Sequence, residues 1–327
     1  MGNLITKKDK IFIAGHRGMA GSAIMRSLKK NGYKNIVTFD RNKLDLEDIN
    51  QVKDMFEQES PDVVILSAAK VGGIMANLNF PTEFILNNLK IQTNLIESSW
   101  RNKVKRFLFL GSSCIYPKLA KQPIKEEYLL DGYLEETNEF YAIAKIAGIK
   151  LCQAMSMQYD FDAICLMPTN LYGTGDNYHI QTCHVLPALI RRFHEATFLN
   201  HKEVLCWGDG SPYREFLHCD DLGDAAVFAL EKINKEAISL IQDNVSNLIH
   251  INLGTSKDIT IKELANLISK EFKFKGKIRW DLTKPNGTPQ KKLDISLMTR
   301  LGWTPKIKLS EGIKMTISDF VNNQKNK

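Results

Sequence analysis

Five short, continuously apolar runs separated by amphipathic stretches constrain this chain more than any other feature. They lie at Lys10–Gly15, Asn35–Asp40, Asp62–Ala69, Arg106–Ser113 and Asp162–Pro168. A strand with one wet face alternates apolar and polar residues, whereas a strand covered on both faces stays apolar throughout. Stretches with helical spacing fall between them, near Met19–Asn31, Glu47–Glu59, Thr82–Asn102 and Asn138–Tyr159. This alternation predicts an α/β fold, a doubly wound parallel sheet with helices on both faces.

After Tyr172 the pattern breaks at a polar loop holding Gly173, Gly175, Asp176 and Asn177. A helix is expected over Val185–Ala196. Shorter elements follow at Glu203–Trp207, Asp220–Lys232, His250–Gly254, Thr260–Phe272, Lys277–Asp281 and Ser310–Asn323. We therefore expect a dinucleotide-binding domain of 8–173 plus about 250–275. A smaller C-terminal substrate domain would take about 174–249 plus 276–327.

Composition narrows the partners. The formal net charge is +7, yet Lys and Arg are scattered among acids without a dense basic run, so nucleic acid is not expected. A mild positive field does favour a phosphate-bearing substrate. No stretch approaches the roughly 20 apolar residues of a membrane helix, so no membrane partner is expected. Met1–Lys10 is polar and lysine-rich, without the apolar centre of a signal peptide. The six cysteines, Cys114, Cys152, Cys165, Cys183, Cys206 and Cys219, form no CxxC pair and no metal-spaced cluster. Reduced thiols in the cytoplasm and no metal are the expectation.

Directly after the first strand comes Gly15-His16-Arg17-Gly18-Met19-Ala20-Gly21, a GxxGxxG loop that opens a helix. Its glycines permit a tight turn, close approach of backbone to a pyrophosphate, and close strand–helix packing. The loop makes the first domain Rossmann-type. Asp40 ends the second strand, where an acid commonly meets the ribose 2′-hydroxyl of NAD. Arg17 and Arg41 flank that place and could clamp a 2′-phosphate. Two arginines against one carboxylate tilt the reading towards NADP(H).

Tyr141 and Lys145 lie four residues apart in Tyr141-Ala142-Ile143-Ala144-Lys145, on one helical face. A neighbouring ammonium is expected to lower the phenol pKa. Ser112 falls at the carboxyl end of the fourth strand, the edge where open α/β sheets bind ligands, and could polarise a carbonyl. Together the three predict an oxidoreductase. A non-catalytic dinucleotide sensor has no need of a tuned proton donor.

These motifs resemble the extended short-chain dehydrogenase/reductases and, within them, the GDP-L-fucose synthase family. That family comprises 3,5-epimerase/4-reductases of GDP-4-keto-6-deoxy-D-mannose. The similarity runs through Ile13–Ala23, Ala68–Ile74, Leu110–Lys118, Tyr141–Gly148, Met167–Gly173, His184–Leu189 and Arg214–His218. It implies Ser112, Tyr141 and Lys145 as the reductase set and Cys114 with His184 as the epimerising acid–base pair. The cofactor would be lined by Gly15, His16, Arg17, Gly18, Met19, Ala20, Gly21, Asp40 and Arg41. The remaining lining would come from Leu110, Gly111, Ser112, Ser113, Lys145, Pro168, Thr169, Asn170, Leu171 and His184. Arg192, Trp207, Arg214 and Lys291 would hold a GDP-linked keto sugar. A homodimer through the helices holding Phe84–Trp100 and Tyr141–Gln158 is also implied.

Chemistry supports the thiol–imidazole pair, since a C4 ketone acidifies the protons at C3 and C5. Thiol and imidazole both exchange protons near neutral pH. Cys114 alone reads as a small core residue, and His184 as a helix-start residue. Related dehydratases carry Thr-Asp or Thr-Glu where this chain has Ser112-Ser113-Cys114, so dehydration is not expected. Two departures stand out. Lys284-Pro285-Asn286-Gly287-Thr288-Pro289-Gln290-Lys291 replaces the common KPDGTPRK, and Asp40 is unusual beside Arg41. The first motivates an alternative reading, a 4-reductase of a related GDP-keto sugar such as a 6-deoxyheptose.

Overall fold

The computed structural model describes residues 2–241 and 248–325; positions 242–247 and 326–327, which the expected second domain includes, lie outside the described residues. The strands are β1 (Ile11–Ala14), β2 (Ile36–Val37), β3 (Val63–Leu66), β4 (Arg106–Leu110), β5 (Ala163–Pro168) and β6 (Asn170–Tyr172). Then come β7 (Glu203–Trp207), β8 (Tyr213–His218), β9 (His250–Leu253), β10 (Asp258–Thr260), β11 (Lys277–Asp281) and β12 (Gln290–Lys291). The helices are α1 (Met19–Lys30), α2 (Ile49–Glu59), α3 (Ile74–Asn79), α4 (Pro81–Arg101), α5 (Glu139–Tyr159) and α6 (Val185–Phe198). They continue with α7 (Cys219–Lys232), α8 (Lys235–Ser239), α9 (Ile261–Glu271), α10 (Ser296–Arg300) and α11 (Leu309–Lys325).

The main sheet runs β2-β1-β3-β4-β5-β9, and all of its pairs are parallel. Its register places Ile11 beside Val63 and Leu110 beside Leu166. The apolar runs explain it. Along β1, Ile11 and Ile13 enter one core with Ile24 and Leu28 of α1 and Leu222 and Ala226 of α7. Phe12 and Ala14 face the opposite core, with Val52 and Phe56 of α2, Leu95 of α4 and Ile149 of α5. Successive side chains point to opposite faces, so a sheet covered twice needs apolar residues at every position. Each buried Ile, Leu or Phe contributes roughly 1.5–3 kcal/mol, which makes these runs the main drive to this topology. Among the described residues no helix is long and apolar enough to cross a membrane.

A third core collects Leu186, Leu189 and Phe193 of α6 with Leu264 and Ile268 of α9 and Phe320 of α11. A small sheet β10-β8-β12, with β6 also pairing β8, lies between this core and the main sheet's carboxyl edge. Glu215 on β8 is fully buried. Its carboxylate accepts from the backbone N–H of Leu293 at 2.7 Å, of Ser256 at 2.6 Å and of Thr255. Two segments distant in sequence, at 255–256 and at 293, are thereby tied to one side chain on β8.

Two helices change partners relative to the sequence-based division. Residues 219–232, placed there in the smaller domain, form α7 and pack on α1 in the sheet's core. The helix of 250–275, placed there with the sheet, is α9 and packs in the third core, while β9 joins the sheet beside β5. Small residues decide the first exchange. A Cβ at Gly223 would sit 2.5 Å from the Ala23 carbonyl oxygen, so only glycine lets α7 approach α1 this closely. Gly223→Ala should therefore lower unfolding free energy by about 1–3 kcal/mol in urea titration. Alanine's better helix propensity, about 1 kcal/mol, acts in the opposite direction. A variant as stable as the parent would show that the two helices can separate freely.

Candidate active site

The glycine-rich loop has the shape a dinucleotide requires. Gly15 has φ +88°, and a Cβ there would lie 2.6 Å from the Ala68 nitrogen. At Gly21 a Cβ would meet the Gly15 oxygen at 2.2 Å, so these two glycines seat the loop against β3. Gly18 differs. It is exposed, and its Cβ would meet only the Gly15 oxygen, at 3.4 Å. It also N-caps α1 with no side-chain hydrogen bond, and no acid occupies the first turn at Met19 or Ala20. The positive end of α1 is thus left open, a fit for a diphosphate.

At the adenosine end, Arg17 donates to Asp40 at 2.6 Å, and His16 Nε2 lies 3.4 Å from the same carboxylate. Arg41 pairs with Glu47 at 2.9 Å. An Asp40 already engaged by two basic groups repels a 2′-phosphate less than a free carboxylate does. That accounts for an acid standing beside two arginines.

The turn after β4 and the first turns of α5 carry the three residues expected as the reductase set. Lys145, only 3% exposed, donates to the Leu110 carbonyl at 2.8 Å and stands 4.6 Å from the Phe109 ring centre. Burial draws its pKa from 10.5 down to about 7. Tyr141 lies edge-on to Phe84, with the Lys145 nitrogen 6.0 Å from its ring centre. The expected lowering of the phenol pKa is not what this geometry produces. Burial pushes Tyr141 up, the Cys114 charge adds to that, and only a hydrogen bond with Ser112 pulls it down. The reason is that Lys145 points at Leu110 and is itself starved of solvent. A phenol that keeps its proton suits a proton donor. Gly111 lies between Leu110 and Ser112, and Ser113 follows them: a Cβ on Gly111 would strike Met167, and Ser113 is buried.

Pro168, Thr169, Asn170 and Leu171 cross from β5 to β6 at the sheet's carboxyl edge. Thr169 and Asn170 both donate their side chains to the Glu215 carbonyl. The Thr169 hydroxyl and the Asn170 amide nitrogen thus tie this segment to β8.

Cys114 opens the other half of the site. Lys291 Nζ and Asn138 Nδ2 each lie 3.5 Å from its sulfur. Burial, the largest influence, pushes the thiol up. Lys291, Ser112 and Arg214 together outweigh it and hold the value below 9.0. Lys291 pairs with Arg214 across β12 and β8, which brings both cations to the sulfur. His184 N-caps α6 at the same cleft. Burial lowers its pKa, and the Lys291 charge lowers it further, so a protonated His184 gives up its proton more readily than a free imidazolium.

The other proposed substrate residues form a separate group. The Arg192 guanidinium sits 5.1 Å from the Trp207 ring centre, with Lys284 Nζ at 5.7 Å. Two cations on one exposed indole make a platform for a flat base with phosphates nearby. Asn286 accepts from the Asp209 N–H at 3.1 Å, and its own carbonyl accepts from Arg214 at 3.3 Å. Gln290 donates to Asp258 at 2.6 Å. Both departures from the common motif therefore hold loops together in this structure.

Residues 11–241 match the model of the NAD dependent epimerase/dehydratase family. The chain belongs to that family. A putative GDP-L-fucose synthase 2 of Arabidopsis thaliana is 53% identical over 98% of this chain and 94% of its own length. A GDP-L-fucose synthase of Escherichia coli is 50% identical over 97% of this chain and 98% of its own. A solved GDP-mannoheptose C4 reductase of Campylobacter jejuni, with NADP bound, is 37% identical. It superposes with a TM-score of 0.87 over 97% of this chain and 99% of that one.

Within this family member, the structure gathers Ser112, Cys114, Tyr141, Lys145, Arg214 and Lys291 on one rim, while Arg192 and Trp207 stand apart from that group. Asn138, Glu135 and Lys284 are additions that motif reading passed over. Asn138 was within reach, because it lies one helical turn before Tyr141. Glu135 meets Lys118 at 3.2 Å and Thr288, pinning the 284–291 loop. His218, Cys219 and Asp220 also converge, with ligand-type atoms within 4.8 Å of one another. Arg26 already bonds Asp220 at 2.6 Å and lies 3.6 Å from the Cys219 sulfur, so a cation occupies that corner.

Lys145 gives a signed pH dependence. Its folded value is depressed, so between about pH 7 and 10.5 the unfolded chain binds more protons at this position, and this group's effect is to raise stability with pH. Lys145→Met should remove on the order of 1 kcal/mol per pH unit of that slope between pH 8 and 10, read by urea titration. Parallel slopes in parent and variant would show that the amine stays charged in the folded protein.

Proposed function

We propose that this chain converts GDP-4-keto-6-deoxy-D-mannose into GDP-L-fucose, epimerising C3 and C5 and then reducing C4 with NADPH. The observation that carries this reading is the Cys114 sulfur held 3.5 Å from Lys291 on the same rim as Ser112 and Tyr141. A plain reductase has no use for a thiol whose ionised form is favoured. The relatives named GDP-L-fucose synthases support the same substrate.

The ketone oxygen lies at Ser112 and Tyr141, whose hydroxyls stabilise the enolate that forms when a proton leaves C3 or C5. Cys114, as thiolate, removes the proton; His184, protonated from solvent, returns one to the opposite face, and Cys114 loses its proton to solvent before the second carbon reacts. Bound dinucleotide supplies hydride to C4. Tyr141 then gives its proton to the C4 oxygen, and Lys145 orients the ribose side of the site. Arg192, Trp207 and Lys284 would take the guanine and diphosphate. The sheet domain thus serves the cofactor and the smaller domain the nucleotide sugar.

We also propose a cytoplasmic homodimer. Leu86 on α4 and Phe140, Ile143 and Met157 around α5 are exposed apolar residues on the helix pair expected at the interface. All six cysteines are free, in keeping with a reducing compartment. A second reading, C4 reduction of a GDP-keto heptose, draws on the Campylobacter reductase and on Asn286 and Gln290.

NMR of the product made with NADPH in deuterated water should show GDP-L-fucose carrying deuterium at C3 and C5. Cys114→Ser should cut deuterium entry relative to hydride transfer by about 100-fold or more, and Tyr141→Phe should shift the ratio the other way. A C4-reduced product with C3 and C5 unchanged, or faster turnover of the heptose substrate, would overturn the assignment. Arg17→Ala should raise KM for NADPH by about tenfold, given the roughly 1.5–3 kcal/mol of a charged hydrogen bond, with a smaller effect on NADH. Equal effects on both cofactors would remove Arg17 from the 2′-phosphate site.

A further inference from the structure

We propose that Asn138 is a further catalytic residue, which cradles the Cys114 thiolate and aims it at the sugar carbon. The inference rests on the epimerase reading above and adds a group that the motifs did not assign.

A thiolate that abstracts a carbon proton needs two things from its surroundings. Charge must favour the ionised form, and the lone pair must point at the C–H bond. Lys291 meets the first need, but an ammonium on a four-carbon stem is a mobile point charge. Asn138 meets the second. It sits at the start of α5, where Asn138 N bonds back to Glu135 O at 3.1 Å. Its Nδ2 donates to the sulfur at 3.5 Å, from a different direction of the chain than Lys291. The reverse amide orientation would set a carbonyl oxygen against a thiolate, so the donor faces the sulfur.

A second observation points the same way. Asn138 Oδ1 is buried and has no partner among the described residues. Buried amide oxygens almost always find a donor within the fold. One left open beside a reactive sulfur marks a side chain held for the site and not for the core. Asn138 also lies three residues before Tyr141, so the α5 start that presents the proton donor to C4 presents this amide to the thiolate.

In the step itself, the C–H bond at C3 or C5 breaks and an S–H bond forms. The electron pair passes into the enolate, whose oxygen Ser112 and Tyr141 hold. Asn138 gains or loses no proton. It raises the fraction of thiolate before the step and fixes the sulfur's direction during it.

The test reads the thiol directly. Alkylation by iodoacetamide is followed against pH on the Cys114 peptide by mass spectrometry, in the full-length protein. Asn138→Ala should move the midpoint up by about one pH unit, and Asn138→Asp, equal in shape but negative, by more. At pH 7 the ratio of deuterium entry to hydride transfer should fall about tenfold in Asn138→Ala and recover as pH rises. Bound NADPH fluorescence reports an intact pocket, and the isosteric Asn138→Asp carries the test if the alanine variant misfolds. Midpoints and ratios matching the parent in both variants, while Cys114→Ser loses exchange, overturn the role of Asn138 and leave the epimerase reading standing. Exchange at the parental rate in Cys114→Ser brings down that reading itself.

Discussion

Lys145 is a cation withdrawn from water, and the fold provides it with the Leu110 carbonyl at 2.8 Å. Taking an ammonium into the interior costs several kcal/mol unless it is paired, and a neutral carbonyl offsets only part of that cost. The remainder appears as a pKa drawn down to about 7. This bond joins the second turn of α5 to the last residue of β4, one step before the chain turns into Ser112 and Cys114. Gln92 of α4 adds a second tie, donating to the Ala144 carbonyl at 2.6 Å. The direction of Tyr141, and the height of the Ser112–Cys114 turn above the sheet, both depend on this seam holding.

The sheet was legible because its strands leave no position for a polar residue. Continuous apolar runs at Ile11–Ala14, Val63–Leu66, Arg106–Leu110 and Ala163–Pro168 fall within the segments marked from sequence. Even the exception is instructive, since Arg106 is buried on β4 and reaches Asp162 at 2.9 Å. β8 was not legible. Tyr213–His218 mixes Arg, Glu and His with aromatics, and its stability comes from Glu215 gathering three backbone donors that sequence spacing cannot reveal. The exchange of α7 and α9 has a similar origin. Both helices have one apolar face, and which core receives it turns on Gly223 and on the short β10 that redirects the chain before α9.

At the site, the placement of the singled-out residues was legible and their energetics were not. The glycine loop, Ser112, Tyr141 and Lys145 stand where spacing put them, because strand ends and helix turns have fixed geometry. The phenol's proton affinity was misread, since a YxxxK pair says that two side chains share a face and not where the amine points. Asp40 looked anomalous until Arg17 and His16 were seen to engage it. Asn286 looked like a lost substrate contact until it was found closing the turn at Asp209. Pairing of this kind is a tertiary fact.

The two halves of the site are joined electrostatically, and this bears on how one pocket can run two reactions in order. Cys114 is among the groups that raise Tyr141, and Ser112 acts on both the thiol and the phenol. Burial first, and a negative sulfur second, disfavour negative charge on Tyr141, so the phenol holds its proton. In the proposed mechanism, a proton taken up by Cys114 would remove the smaller of these two contributions and make the phenol a better acid. Proton removal at C3 and C5 and proton delivery at C4 thus draw on one local charge balance. Lys291 contributes from the thiol side, since its charge favours the thiolate and adds to the burial that lowers the His184 pKa. A reductase built on the same strand ends but with a small apolar residue in place of Cys114 would lack this link. Its tyrosine would be freer to ionise from the outset. In that mechanism the thiol would shape the reduction step even though it takes no part in it.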